Sequence, residues 1–147
     1  DRLARVDSVE TVNGSIHLRA DASVDSEAET VNGSITLDAG SAVQGRVETV
    51  NGAIRLSQAR IGGGIETVNG DIDVLDGSRV SGGIVMRKPS MGWFNNNSSR
   101  TPKVTIGANS VVEGKLVFER EVELYVHPSA KIGPVEGATA KTLAVER

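Results

Sequence analysis

Cysteine is absent from this chain, so neither a disulfide framework nor a thiolate metal site can hold it together. Aromatic residues are nearly absent too, with one Trp, one Tyr and two Phe among 147 residues. A globule about one domain long usually fills its core with rings. The core here has to be narrow and aliphatic instead. Proline is scarce at four residues, while seventeen Gly supply many turns without a collagen-like period. No apolar run approaches the roughly 20 residues of a membrane-spanning helix, and two His are all that the sequence offers for imidazole chemistry. The chain begins at Asp1 rather than Met, as expected of a processed protein or a trimmed one.

Charge is unevenly spread. Residues 1–76 hold 13 acids against 6 bases, residues 77–112 hold 5 bases and no acid, and the rest hold 6 acids against 5 bases. A basic island therefore sits in an acidic body.

What the chain has in abundance is self-similarity. The pentapeptide ETVNG stands at 10–14, 29–33, 48–52 and 66–70, returning after 19, 19 and 18 residues. Fixed-period repetition of this size is the signature of a solenoid. Within each coil Ile16 and Leu18 correspond to Ile35 and Leu37, Ile54 and Leu56, Ile72 and Val74, Val104 and Ile106, and Leu124 and Val126. The residue between each pair varies freely, so period two with one constant face predicts a half-buried strand. A second inward column is Val24, Val43, Ile61, Val80, Val112 and Ile132, and a third is Val9, Ala28, Val47, Ile65, Ile84 and Leu116. Three short strands per coil predict an all-β, single-stranded triangular parallel β-helix of about six to seven coils. The slip between 18 and 19 residues breaks the six-residue beat of left-handed coils, so a right-handed one is expected.

One domain is expected over 1–147. Its parts are an N-terminal cap at 1–8, four ETVNG coils at 9–83, a fifth coil at 84–115 interrupted by a loop at 89–102, a sixth coil at 116–134, and a C-terminal cap at 135–147 that carries helix formers. Asn-Gly suits a turn with positive φ. Stacked turns would let Asn13, Asn32, Asn51 and Asn69 hydrogen-bond in a ladder. A β-hairpin also uses Asn-Gly, but a meander gives no reason for identical letters in every coil.

Two family resemblances follow from these residues. The segment VTIGANSVVEGKL resembles a coil of bactofilins, polymer-forming bacterial cytoskeletal proteins built as right-handed triangular β-helices. The ETVNGSI coils over most of residues 9–83 resemble bacterial β-strand repeat proteins of the adhesin type, which are commonly exported. Together these resemblances imply a structural protein of the bacterial envelope that associates with itself, with a cytoplasmic location as the alternative.

Catalytic groups are hard to assemble from this sequence. His17 occupies an outward, variable strand position and His127 precedes Pro128 at a corner, so neither pairs by spacing with a nucleophile. The glycines precede no helix and make no phosphate loop. A hexapeptide-type acyltransferase is the enzymatic competitor, but its six-residue beat is missing. Asp71, Asp73 and Asp76 superficially resemble a calcium loop, yet core residues Ile72 and Val74 alternate with the first two and lay them along a flat strand. No enzyme activity, cofactor, metal or small-molecule substrate is expected.

Interaction features are more evident. Glu10, Glu29, Glu48 and Glu66 form an acidic stripe of stacked like charges, which a sheet does not favour for its own sake. Strict alternation puts Thr11, Thr30, Thr49 and Thr67 inside and exposes Val12, Val31, Val50 and Val68, unless the corner reverses the register. The inserted loop joins Trp93 and Phe94 to Arg87, Lys88, Arg100 and Lys103, and long loops on rigid scaffolds often carry function. The expected partners are further copies of the chain or an envelope component. The alternative is a binding module that takes an anionic polysaccharide or lipid headgroup on this loop. The acidic body argues against nucleic acid.

Overall fold

The computed structural model describes residues 5–87, 102–119, 122–137 and 140–142. Among these the regular structure is entirely β, arranged as three parallel seven-stranded sheets that form the faces of a solenoid. The first face runs through Arg5–Val6, Ser23–Val24, Ala42–Val43, Arg60–Ile61, Arg79–Val80, Val111–Val112 and Lys131–Ile132. Val9–Asn13, Ala28–Asn32, Val47–Asn51, Ile65–Thr67, Ile84–Met86, Leu116–Phe118 and Val135–Glu136 make the second. The third consists of Ile16–Leu18, Ile35–Leu37, Ile54–Ser57, Ile72–Leu75, Lys103–Ile106, Glu123–Val126 and Ala140–Thr142. Seven rungs spaced about 4.8 Å apart give a rod roughly 30 Å long.

Register is like on like. Val43 lies between Val24 and Ile61, Ala28 between Val9 and Val47, and Ile54 between Ile35 and Ile72. All three predicted columns run down the interior, and their middle members are fully buried. A typical rung, Val43, Val47, Thr49, Ile54 and Leu56, fills the prism without any ring. Among the described residues a large aromatic enters the core only in the sixth rung, where Phe118 follows Met86 in the column that begins with the threonines.

Those threonines face inward, as strict alternation requires. The Thr30 hydroxyl donates to the Gly14 carbonyl at 3.0 Å, and Thr49 does the same to Gly33 at 3.0 Å. This satisfies buried polar groups that would otherwise cost free energy. Thr67 is equally buried, but its hydroxyl meets no acceptor among the described residues. The coil beneath it is one residue shorter, so the spacing from the glycine to the threonine drops from 16 residues to 15.

Glycine serves the Asn-Gly corner for a reason other than the expected one. None of Gly14, Gly33, Gly52 and Gly70 has positive φ. Positive φ occurs instead mainly at the corner from the third face to the first, at Asp21, Gly40, Gln58, Asp76, Gly77 and Asn109, and elsewhere at Gly83 and Gly137. At the Asn-Gly corner successive turns stack too closely for a side chain. A Cβ on Gly33, Gly52 or Gly70 would sit 2.0, 1.9 or 1.8 Å from the carbonyl oxygen of Gly14, Gly33 or Gly52.

Each segment expected as a cap supplies strands to the solenoid, and residues 1–4, 138–139 and 143–147 lie outside the described residues. Arg5–Val6 pairs in parallel with Ser23–Val24, so the segment 1–8 contributes a strand to the first rung. Val135–Glu136 pairs with Leu116–Phe118, and Ala140–Thr142 with Glu123–Val126, although the segment carries helix formers. Exposed strand edges offer backbone partners to a following segment whatever its helix propensity, and this segment takes them.

Gly14 provides an internal control, because the nearest atom to a Cβ there is Thr11 Oγ1 at 3.4 Å. Gly14→Ala should change unfolding free energy by no more than about 1 kcal/mol. Gly52→Ala should lower it by about 3 kcal/mol or more. Denaturant unfolding of the two variants checks this, and equal effects would contradict the close approach.

Candidate functional site

The predicted acidic stripe and the predicted ladder lie on the second face and its corner to the third. There the Asn ladder is continuous. Asn32 Nδ2 donates to Asn13 Oδ1, Asn51 Nδ2 to Asn32 Oδ1 and Asn69 Nδ2 to Asn51 Oδ1, each at 2.9 Å. An amide carries both a donor and an acceptor, so it is a residue that can stack on copies of itself without a mismatch.

Beside the ladder run two outward columns. Glu10 pairs in register with Glu29, Glu29 with Glu48 and Glu48 with Glu66, after which Val85 replaces the acid. Two positions further along each strand, Val12 is 61% exposed and Val31 38% exposed, while Val50 and Val68 are half-buried. An acidic stripe and an apolar stripe therefore lie side by side at the N-terminal end of this face.

Cations temper the acidic stripe at its other end. Arg46 sits at the coil corner with its guanidinium 3.7 Å from Glu27, 3.6 Å from Glu48 and 3.4 Å from Glu66. Arg87 adds a direct hydrogen bond to Glu66. Glu10 and Glu29 have no cation partner among the described residues. Reading along the sequence does not single out Arg46. Its only signal is that the corner position before the third inward column holds Glu27 in one coil and Arg46 in the next.

Burial is the main cause that pushes the Glu48 carboxyl above the ordinary glutamate range. Glu66, Glu29 and Glu27 add to it, and Arg46 opposes it. The Glu27, Glu29 and Glu48 carboxylates can come within 4.8 Å of one another. Arg46 is the cation in contact with two of the three.

The basic loop is seen only at its ends. Lys88, Trp93, Phe94 and Arg100 lie outside the described residues. Arg87 is engaged by Glu66, and Lys103 Nζ stands 5.4 Å from the centre of the Tyr125 ring, a cation–π contact. The three aspartates are dispersed among separate partners. Asp71 Oδ1 accepts the Lys103 amide at 2.9 Å, Asp76 Oδ2 accepts the Ser57 hydroxyl at 3.1 Å, and Asp73 faces Arg55 and Thr105 across the third face. Burial raises the Asp73 pKa, an effect that Arg55 opposes.

Both histidines have side-chain contacts, His17 from its strand to the following coil and His127 within its corner. His17 Nε2 lies 2.9 Å from Asp38 Oδ2. His127 Nδ1 accepts the Ser129 amide at 3.0 Å, and the Ser129 oxygen in turn accepts the Asn109 amide at 2.9 Å. Geometry thus gives the second face a repeating surface of charge and apolar area, with a ladder of amides along its edge. In comparisons with known proteins the chain matches no family model, no curated protein and no solved structure.

The raised Glu48 pKa fixes the sign of a pH effect. In the window between the ordinary and the raised value the folded state holds more protons than the unfolded one, so stability falls as pH rises through the folded pKa. Glu48→Gln should therefore be more stable than the parent at about pH 7, with the difference disappearing near pH 4. Thermal unfolding across this range checks the prediction, and a variant less stable at neutral pH contradicts it.

Proposed function

We propose that this protein is a non-enzymatic β-solenoid scaffold that works through its faces, by association with further copies of itself or by attachment to an envelope component. The observation that carries this reading is the pairing of exposed Val12 and Val31 with Glu10 and Glu29 on one flat face. The core does not require these outward residues. Contiguous apolar area rimmed by polar groups is the usual mark of an interaction surface, and here it repeats at the rung spacing, which suits a partner with its own repeat.

Other features support the same reading. His17 is engaged by Asp38 of the next coil and His127 by Ser129 within its corner, which gives each ring a structural use. The resemblance of VTIGANSVVEGKL to a bactofilin coil and of the ETVNG coils to exported repeat proteins supports a place in the bacterial envelope. Anionic-ligand binding by the loop is the weaker reading, because Arg87 and Lys103 at its described ends already have partners in Glu66 and Tyr125.

Sedimentation across a concentration series tests the proposal. The parent protein should associate, and a double variant, Val12→Lys with Val31→Lys, should stay monomeric while its unfolding free energy changes by no more than about 0.5 kcal/mol. A parent protein that remains monomeric at high concentration and is not retained by envelope material would refute it.

A further inference from the structure

Four copies of one Asn-Gly sequence in a single chain allow their chemistry to be compared with the local sequence held nearly constant. Asn-Gly is the dipeptide most prone to spontaneous loss of the side-chain amide, because a glycine nitrogen can reach the preceding Asn carbonyl carbon with little steric hindrance. Whether it does so in a folded protein depends on whether that nitrogen is free to move. In three of the four copies it is held. Gly14 N donates to the Asn32 carbonyl at 3.0 Å, Gly33 N to the Asn51 carbonyl at 3.0 Å and Gly52 N to the Asn69 carbonyl at 3.1 Å.

Each of these amides is thus tied to the corner of the next coil, and the fourth is not. Gly70 N makes no hydrogen bond among the described residues. The cause lies in the sequence. Arg87 N donates to the Thr67 carbonyl, and from Lys88 the chain departs from the repeat without writing a fifth Asn-Gly. Among the described residues no further Asn-Gly corner stacks on Asn69–Gly70, and the nucleophilic Gly70 nitrogen is not held by a hydrogen bond.

We propose that Asn69 is a site of self-modification in the native protein, where Asn is converted to aspartate and isoaspartate with water as the only co-reactant. Gly70 N attacks Asn69 Cγ, a C–N bond forms in the ring, and the bond from Cγ to the side-chain nitrogen breaks. Ammonia leaves, carrying away the proton lost by Gly70 N. Water then opens the cyclic imide at one of its two carbonyls and leaves a carboxylate at position 69. Asn13, Asn32 and Asn51 are spared as long as their coils stay paired, because their glycine amides must first break a hydrogen bond and open locally. The product cannot donate to Asn51 Oδ1 as Asn69 Nδ2 does, so the reaction removes the last rung of the amide ladder. It also adds a negative charge two residues from Asp71.

The sequence makes the test direct. Trypsin cuts after Arg5, Arg19, Arg46, Arg55, Arg60 and Arg79, so the four asparagines fall in separate peptides, 6–19, 20–46, 47–55 and 61–79. Native protein is aged in mildly alkaline buffer, digested, and the deamidated fraction of each peptide is measured by mass spectrometry. A parallel sample is aged in denaturant. In the native sample 61–79 should convert about tenfold faster than each of the other three. In denaturant the four rates should come together to within about threefold, as the clamp is then gone. Equal native rates, fastest conversion at Asn13 through fraying of the first rung, or the same lead for Asn69 in denaturant would each overturn the proposal.

Discussion

Parallel in-register stacking makes every side chain the neighbour of its own counterpart, about 4.8 Å above and below. A residue type survives in a column only if it tolerates copies of itself at that distance. Aliphatic side chains do so in the interior, and amides do so at the corner, where each Nδ2 meets the next Oδ1. Glycine does so where the backbones nearly touch. The ETVNG motif reads in these terms. Thr faces inward and in two coils bonds a glycine carbonyl of the preceding one, Asn builds the ladder and Gly permits the approach, while Glu and Val point outward.

The outward columns are where self-compatibility is poorest. Stacked glutamates repel one another, and at Glu48 this repulsion adds to burial, the main cause of its raised pKa. Arg46 and Arg87 relieve the repulsion near Glu66 but do not reach Glu10. A surface that the fold tolerates rather than requires is a natural place for interaction, and that reasoning underlies the scaffold proposal.

Much of this architecture was legible in the sequence because stacking repeats it. Ile16 and Leu18 recur as Ile35 and Leu37, and the ladder was visible in four aligned asparagines. The role of the motif glycines was not legible, since positive φ and close approach both select glycine and only backbone geometry separates them. The strands Arg5–Val6, Val135–Glu136 and Ala140–Thr142 at the ends were not legible, because they are too short to show a period. Arg46 was missed because its partners Glu27 and Glu66 lie 19 and 20 residues away in sequence and become neighbours only once the coils are in register.

Self-compatible stacking is most directly measured by comparing two equivalent amides. Asn51 makes two ladder bonds, one to Asn32 and one from Asn69, whereas Asn13 at the first rung makes one, from Asn32. Unfolding free energies of Asn51→Ala and Asn13→Ala should therefore differ, with losses of about 2 kcal/mol and about 1 kcal/mol respectively. Equal losses at the two positions would mean that the asparagines act singly and that the ladder does not hold the coils in register.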